Sequence, residues 1–416
     1  MGDIIDNEEV DRDIVEPEVL QKHFSKKYKL LTETAVSLNK SYINKLHCTK
    51  SLQMAVSLSD NTFEVYQLRN TSLQRVCRLS GHKNTLTEVV CSPKDEHLVY
   101  SAGHDGMLKL WDIRSGGSCA MEYKDEEDTL IRPYECMDVS CNGLVLCAGS
   151  QVIQDDAYLV FWDQRLPKPL GGYWNSHTED ITQVKFHKEK TEILTTGSLD
   201  GLMNVFDIME QTEDDALTYS LNVENSVEKI TWLDSTQVAC ITQSNELQVW
   251  DTEEGDLLSG CTKEKVARSI RRSKADDCYL VDAFNSIDDT IVLLAGSHGG
   301  NGDVLRSVTL DDRRLLPTTN FTENKQIARC CWYDKDRDLL VTTGESGLIS
   351  VWSACADEED GAASKPLSTS PQQAARQQAQ TVLNVRYLAV RLLRMSNPHP
   401  KCLNRAVFSN CGPLAA

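Results

Sequence analysis

The sequence predicts an all-β protein in which one short repeat occurs seven times and closes into a ring. The stretch SAGHDGMLKLWDIR, which begins at Ser101, returns in altered form along the chain, at steps of about 44 to 58 residues. Each copy contains two short apolar strands around a turn of Gly, Asp, Asn or Ser, which is typical of a β-hairpin. The chain has 416 residues, and a ring of repeats fits this length because it remains one structural unit as repeats are added.

The copies align on one aromatic or apolar residue that precedes an Asp-like position in the alternating strand. These seven residues are Tyr66, Trp111, Trp162, Phe206, Trp250, Val308 and Trp352. Runs such as HLVYSAG and EILTTGS predict the second strand of a repeat, and runs such as MLKLWDI and LMNVFDI predict the third. Segments such as SCAMEY and YECMDVS supply two more candidate strands between copies. Four strands make one blade, and seven blades close a ring.

The pair Gly81-His82 followed by Trp111-Asp112 is the Gly-His to Trp-Asp signature of a WD repeat. Over about residues 26–354 the chain resembles the WD-repeat family. The resemblance implies a seven-bladed WD-repeat β-propeller and a protein that acts as a scaffold for other proteins. The composition after residue 354 adds a flexible C-terminal extension to this prediction. It also implies that one blade borrows its outer strand from the other end of the chain. The candidate is KKYKLLTETAV, residues 26–36, paired with residues 348–354 so that no strand edge stays open.

Serine, histidine and aspartate occur together around the opening stretch and raise the question of a hydrolytic triad. In WD-repeat blades these residue types form a buried hydrogen-bond chain that ends on the tryptophan, and the resemblance gives these roles to His82, Ser101, Asp105 and Trp111. A serine hydrolase needs an exposed nucleophile and an oxyanion hole, and the sequence contains no nucleophile-elbow motif. We therefore favour the structural role and predict no catalytic residue. His104, in the same turn, is expected to face solvent.

The fourth copy carries the matching set His177, Thr196 and Asp200, with Phe206 at the tryptophan position. Phenylalanine has no indole N–H, so the last link of the chain should be missing there. The seventh copy has Ser346 where the turn aspartate would be. We therefore expect the blades without the full set to depend on apolar packing alone.

Two successive copies end in the pattern Trp-Asp-x-Arg, in which Arg114 follows Asp112 and Arg165 follows Asp163. This pattern resembles the box by which some propellers dock onto the adaptor of cullin-based ubiquitin ligases. A guanidinium makes bidentate contacts with carboxylates and is suited to docking. The alternative interpretation is that each arginine pairs with the aspartate of its own blade and steadies the end of the strand.

The net charge of −19 disfavours direct binding to nucleic acid and fits a protein that works through surface contacts. None of the 15 cysteines lies in a Cys-x-x-Cys pattern, and Cys91, Cys147 and Cys240 sit in apolar runs. We therefore expect buried free thiols, no metal site and no cofactor. The acidic beginning of the chain is not a signal peptide, and no apolar run is long enough to cross a bilayer. We expect cytoplasmic or nuclear localisation, protein partners and no membrane association.

Composition divides the chain into three parts. Residues 1–25 form an acidic head predicted to be disordered, residues 26–356 form the propeller, and residues 357–416 form a flexible linker and a basic tail. The tail segment TVLNVRYLAVRLLRM can form one short amphipathic helix, although a disordered appendix is the favoured interpretation. The segment TKEKVARSIRRSKADD, residues 262–277, is a basic island. It could contact RNA, acidic peptides or a phosphoprotein, but a solvated loop is favoured.

Overall fold

Seven antiparallel sheets of four strands form a ring of blades in the computed structural model, which describes residues 11–37, 41–124 and 131–355. The inner strands of successive blades contact one another, and the inner strand of the last blade contacts that of the first. The molecule is therefore a seven-bladed β-propeller, and the predicted fold class is confirmed.

The strands follow the chain in order, except that the first strand belongs to the last blade. The first strand is β1 (Tyr28–Ala35). Blade 1 contains β2 (Ile43–Cys48), β3 (Gln53–Leu58), β4 (Thr62–Arg69) and β5 (Ser72–Ser80). Blade 2 contains β6 (Leu86–Cys91), β7 (Leu98–Gly103), β8 (Met107–Asp112) and β9 (Cys119–Tyr123). Blade 3 contains β10 (Tyr134–Val139), β11 (Val145–Ser150), β12 (Leu159–Asp163) and β13 (Pro169–Tyr173).

The second half of the ring repeats this arrangement. Blade 4 contains β14 (Ile181–Phe186), β15 (Ile193–Ser198), β16 (Leu202–Asp207) and β17 (Leu217–Asn222). Blade 5 contains β18 (Val227–Trp232), β19 (Gln237–Thr242), β20 (Leu247–Asp251) and β21 (Leu257–Cys261). Blade 6 contains β22 (Cys278–Asn285), β23 (Ile291–Ser297), β24 (Leu305–Asp311) and β25 (Arg314–Asn320). Blade 7 contains β26 (Ala328–Asp334), β27 (Leu339–Gly344), β28 (Leu348–Ala354) and β1.

The seven aligned residues of the repeat all lie on the third strand of their blade. Val308 belongs to the weakest copy, yet it lies on β24 opposite Leu293, just as Trp111 lies on β8 opposite Val99. An apolar residue at this position is thus enough to place the strand, even where the tryptophan and the aspartate of the motif are absent.

The ring is closed by the strand that the sequence predicts. β1 runs antiparallel to β28, from Tyr28 opposite Ala354 to Ala35 opposite Leu348. Blade 7 therefore combines strands from both ends of the propeller, and β28 has a partner on each side. This pairing removes the open edge that would otherwise attract another chain.

The apolar core is divided among the interfaces between blades. Seven clusters of buried side chains are present in the described residues, and each combines side chains of two neighbouring blades. Between blades 3 and 4, for example, the ring of Tyr173 lies 5.0 Å from that of Phe161 and 5.4 Å from that of Phe206. As in other repeat proteins, stability is then a sum over neighbour contacts, and the closed ring adds one more interface than an open array.

The acidic head differs from the expected disorder over residues 11–25. Short helices are present at α1 (Pro17–His23), α2 (Glu213–Ala216) and α3 (Lys263–Ser269), and α1 lies in this head. Its Leu20 and the following Phe24 are only 8 % and 4 % exposed. The basic island is likewise no solvated loop, because it contains α3 and pairs with the head through Arg272 and Asp11. Burial of apolar side chains and an ion pair order a segment that its composition alone would leave unfolded.

Further expectations concern the C-terminal part of the chain, the cysteine thiols and membrane spans. The linker, the basic tail and its short helix, predicted for residues 357–416, lie outside the described residues. Cys91, Cys147 and Cys240 are buried free thiols, as expected. Within the described ranges, no helix is both long and apolar enough to cross a membrane.

Candidate functional site

Four polar side chains of blade 2 form one continuous hydrogen-bond chain. The indole N–H of Trp111 donates to the Ser101 hydroxyl oxygen at 2.8 Å, and that oxygen lies 2.7 Å from Nε2 of His82. Nδ1 of His82 lies 2.9 Å and 3.1 Å from the two oxygens of Asp105. Because an indole N–H only donates, the consistent assignment has Ser101 donating to Nε2 and Nδ1–H donating to Asp105. The structure thus brings these four residues together.

The chain in blade 2 is closed to solvent. Ser101 is fully buried, and the side chains of His82 and Asp105 are 2 % and 6 % exposed. Burial opposes ionisation of Asp105, but hydrogen bonds from His82 and from the Lys83 N–H at 2.9 Å outweigh it and hold the pKa of Asp105 below its usual value. A nucleophilic serine has to reach a substrate carbonyl, whereas both neighbours of the Ser101 hydroxyl here are protein groups.

Gly103 is a part of this site that the sequence analysis misses. A Cβ at this position would lie 2.8 Å from Nδ1 of His82 and 2.8 Å from the carbonyl oxygen of Thr85. A larger residue would therefore push the imidazole away from Asp105. The matching residue of blade 7 is Gly344, whose Cβ would lie 1.9 Å from a neighbouring carbonyl oxygen. This recurrence of glycine at the end of the second strand is the signal that could have identified the position.

Blade 4 builds the same arrangement without the tryptophan. Nε2 of His177 lies 2.8 Å from the Thr196 hydroxyl oxygen, and Nδ1 lies 3.0 Å from Asp200. The link to the aromatic position is missing, as expected for Phe206. Asn204 adds a different contact, because its amide nitrogen lies 3.3 Å from Nε2 of His177. Asn204 is absent from the sequence-based set, and the signal for it is a polar residue directly opposite Thr196 in the strand register.

The expectation that the other blades rely on apolar packing alone is wrong for blade 7. The indole N–H of Trp352 donates to the Thr342 hydroxyl oxygen at 2.9 Å, although Ser346 replaces the turn aspartate. In blade 3 the indole nitrogen of Trp162 has no partner among the described residues, because Ala148 stands opposite Val160 where blade 2 has its serine. The link from indole to hydroxyl therefore persists when the histidine and aspartate are lost. In blade 5 the indole N–H of Trp250 instead donates to the Gln248 amide oxygen at 3.0 Å.

His104 also differs from its expected orientation towards solvent. Its side chain is 23 % exposed, and its Nε2 lies 2.9 Å from a carboxylate oxygen of Glu135 in blade 3. The residue next to Asp105 in the turn thus contacts the neighbouring blade, while Asp105 itself remains inside blade 2.

The arginines of the two Trp-Asp-x-Arg boxes each pair with the aspartate of their own blade. Nε of Arg114 donates to Asp112 at 2.9 Å and its Nη2 donates to the other oxygen at 2.6 Å. The Arg114 side chain and backbone N–H lower the pKa of Asp112 to about 2. Arg165 forms the same bidentate pair with Asp163: its Nε donates to one carboxylate oxygen at 2.8 Å, and its Nη2 donates to the other.

Both arginines nevertheless remain accessible at the ends of their strands. The side chains of Arg114 and Arg165 are 60 % and 53 % exposed. Each bidentate pair uses two of the five N–H donors of a guanidinium. The geometry therefore holds each guanidinium in one orientation and leaves part of it facing outward, in successive blades 2 and 3.

The inner strands line a central channel of about 1000 Å³. Its charges occur mostly in pairs, such as Lys45 with Glu88 at 3.2 Å and Lys229 with Asp282 at 2.8 Å. Burial raises the pKa of Asp138, which also lines this channel. Within the described part of the chain, no group of three or more His, Cys, Asp or Glu side chains has an arrangement that could hold a metal ion.

A ring of seven blades, with hydroxyl–imidazole–carboxylate chains in blades 2 and 4, is the architecture of a WD-repeat β-propeller. Similarity to known proteins supports a place in the WD-repeat family. The WD40 family, described as WD domain, G-beta repeat, matches residues 73–112 and 168–207. These two matches end on the third strands of blades 2 and 4, the blades that contain the complete histidine–aspartate pairs.

The particular proteins that it resembles carry the same repeat. The chain is 26 % identical to WD repeat-containing protein 89 homolog of Dictyostelium discoideum over 75 % of this chain and 82 % of that protein. The sequence also predicts similarity to WD repeat-containing protein 89, and this match supports that prediction over 75 % of the chain. The chain is also 28 % identical to WD repeat-containing protein GTS1 of Arabidopsis thaliana, over 59 % of this chain and 62 % of that protein. An uncharacterized WD repeat-containing protein of Saccharomyces cerevisiae is 30 % identical over 62 % of this chain and 64 % of its own length.

Proposed function

We propose that the protein is a non-catalytic scaffold that mediates protein–protein interactions. The observation that carries this proposal is the position of the serine–histidine–aspartate set of blade 2. Ser101 is fully buried between Trp111 and His82, so the residues that resemble a catalytic triad are used inside the blade. Function by surface contact is the usual role of propellers of this class, although a fold alone does not fix a function.

The scaffold proposal is tested by purifying the tagged full-length chain from cells and identifying co-purifying proteins by quantitative mass spectrometry. We expect a reproducible set of proteins that is enriched over a tag-only control. Absence of any enriched protein, together with hydrolase activity of the purified chain that Ser101→Ala abolishes, would contradict the proposal.

A second candidate function is that of a substrate receptor for a cullin-based ubiquitin ligase. The observation that favours it is the pair of exposed guanidinium groups of Arg114 and Arg165, fixed in successive blades by Asp112 and Asp163. A pre-oriented arginine loses less side-chain entropy on docking than a free one. The pairing of each arginine with its own aspartate equally fits a role confined to the strand end, so the two interpretations require an experiment.

A pulldown of the ligase adaptor distinguishes these interpretations. We expect the wild-type chain to capture the adaptor and the double variant Arg114→Ala/Arg165→Ala to lose it. Arg78→Ala is the matched control, because Arg78 is also an exposed arginine paired with an aspartate, Asp60, but lies outside the boxes. Equal capture by all three chains, or no capture by wild type, would remove the ligase hypothesis.

We place the protein in the cytoplasm, the nucleus or both. Its described cysteines are free thiols, many of them buried, which fits a reducing compartment. Imaging of the tagged chain at endogenous expression tests this localisation directly.

A further inference from the structure

Two carboxylates of the acidic head, at Asp11 and Asp13, lie in a pocket lined by hydrogen-bond donors. The side chain of Asp11 is fully buried and accepts a hydrogen bond from Nε of Arg272 at 2.7 Å, and Nη2 of the same guanidinium forms an ion pair with the same oxygen at 2.7 Å. It also accepts from the Ser297 hydroxyl and from the backbone N–H of Lys274 at 3.0 Å. These donors belong to the basic island and to blade 6, more than 250 residues away along the chain. Every side of this carboxylate is therefore matched by a protein donor.

A second carboxylate occupies the same pocket two residues later. Asp13 accepts from Nη1 of Arg306 at 2.6 Å, from its Nη2 at 3.0 Å and from Nη1 of Arg272 at 3.1 Å. Asp13 also forms an antiparallel bridge with Arg272 through the backbone, and the N–H of Ile14 donates to the carbonyl oxygen of Arg271 at 3.0 Å. The head thus pairs with the basic island through one isolated antiparallel bridge, which resembles the start of peptide recognition by strand addition.

The spacing of the two aspartates fits an extended conformation. Side chains at positions i and i+2 of a strand point to the same side, so Asp11 and Asp13 both enter the pocket. Arg12 lies between them and is exposed. The pocket therefore recognises the pattern Asp-x-Asp and makes no demand on the side chain of the central residue.

The pocket requires an anionic occupant. The side chains of Arg272 and Arg306 are only 6 % and 4 % exposed. Buried guanidinium groups without a counter-charge are strongly unfavourable. Departure of the head would remove the counter-charges of both guanidinium groups, so a group with the same charge and spacing is the favoured replacement.

We propose that this pocket, formed by Arg272, Arg306, Ser297 and the backbone of residues 271–274, is an exchangeable recognition site for Asp-x-Asp segments of partner proteins. The head occupies the site in cis and competes with such partners. The proposal rests on the scaffold function and specifies one surface through which it operates.

The test uses a fluorescein-labelled peptide with the sequence of residues 11–24, DRDIVEPEVLQKHF, and fluorescence anisotropy. The full-length variant Asp11→Asn/Asp13→Asn should bind it about ten-fold more tightly than wild type or tighter, because its own head is a weaker competitor. The control variant Asp276→Asn changes an aspartate of the same connection that is 90 % exposed, and it should bind like wild type. A peptide with Asn at the two aspartate positions should not bind the double variant.

A second measurement keeps the proposal falsifiable if the double variant does not fold. An isotopically heavy peptide is added in excess to the wild-type chain, and hydrogen exchange is followed in residues 11–24 of the chain itself. The Asp-x-Asp peptide should accelerate this exchange, and its Asn counterpart should not.

Two peptide results would overturn the proposal: equal binding of both peptides, or no effect of either peptide in both measurements. Two further results would also overturn it: displacement of the head by inorganic phosphate at the peptide's concentration, or a wild-type dimer that the double variant abolishes. The last two would assign the pocket to free anions or to a second copy of the chain. The scaffold function would survive any of these outcomes if proteins still co-purify with the double variant, so the two failures are distinguishable.

Discussion

Ser101 lies between an indole that donates to it and an imidazole that accepts from it, and both of its neighbours are buried. In this setting the hydroxyl connects the Trp111 indole N–H with the Nε2 atom of His82, and such buried networks specify one packing when they are fully satisfied. The identities of His82, Ser101, Asp105 and Trp111 could be predicted because the motif has fixed spacing. Asn204 and Gly103 could not, since one acts through the strand register and the other through a close approach that only three-dimensional packing reveals.

The first prediction at this scale concerns His82→Ala. The variant leaves the Ser101 hydroxyl and the Asp105 carboxylate without their shared partner, and we expect a loss of about 1–3 kcal/mol in the free energy of unfolding. Urea denaturation measures this loss. His104→Ala is the matched control in the same region, because its partly exposed contact with Glu135 should contribute less than about 1 kcal/mol. Equal losses for the two variants would argue against a special role of the buried chain.

The second prediction concerns pH. Hydrogen bonds from His82 and Lys83 outweigh burial and keep the pKa of Asp105 below its usual value. A carboxyl group with a lowered folded-state pKa stabilises the fold above its unfolded pKa, about 3.9, and loses this contribution as pH falls through the folded value. The difference in unfolding free energy between wild type and Asp105→Asn should therefore shrink below about pH 4. Urea denaturation of both chains across this pH range measures the difference, and a difference that stays constant over the range would contradict the prediction.

Among the elements, β1 is the one whose position depends most on the whole ring. Its location could be predicted because the third strand of the last blade needs an outer partner strand in a closed propeller. Residues 26–36 have the apolar pattern that such a strand requires. The order in the head could not be predicted in the same way. Its anchor, Asp11, contacts Arg272 across more than 250 residues, and local composition shows only that the head is acidic and the island basic.

The third prediction separates the roles of β1 and of the head. A chain that lacks residues 1–36 loses the strand paired with β28, so we expect an open edge and self-association. A chain that lacks only residues 1–24 keeps β1 and should remain monomeric, although less stable. Light scattering after size-exclusion chromatography measures the mass of both. A monomeric chain without residues 1–36 would show that β1 is dispensable for closure.

At the scale of the whole molecule, the ring presents a large surface to solvent and buries the serine, histidine and aspartate side chains of blade 2. The sequence predicts the number of blades because seven copies of one strand–turn–strand repeat are visible, including the degenerate copy around Val308. It does not predict which surface binds a partner, because exposure of Arg114 and occupancy of the Asp-x-Asp pocket are properties of the folded ring. Both surfaces lie on the propeller, in blades 2 and 3 and beside blade 6.

The most direct test of the scaffold account is crosslinking mass spectrometry on the full-length chain purified with its partners under native conditions. The account predicts that most crosslinks between the chain and other proteins fall on residues 26–356 and cluster on one or two regions of the propeller. Crosslinks confined to residues 357–416, or none to any other protein, would contradict the claim that the propeller is the interaction platform.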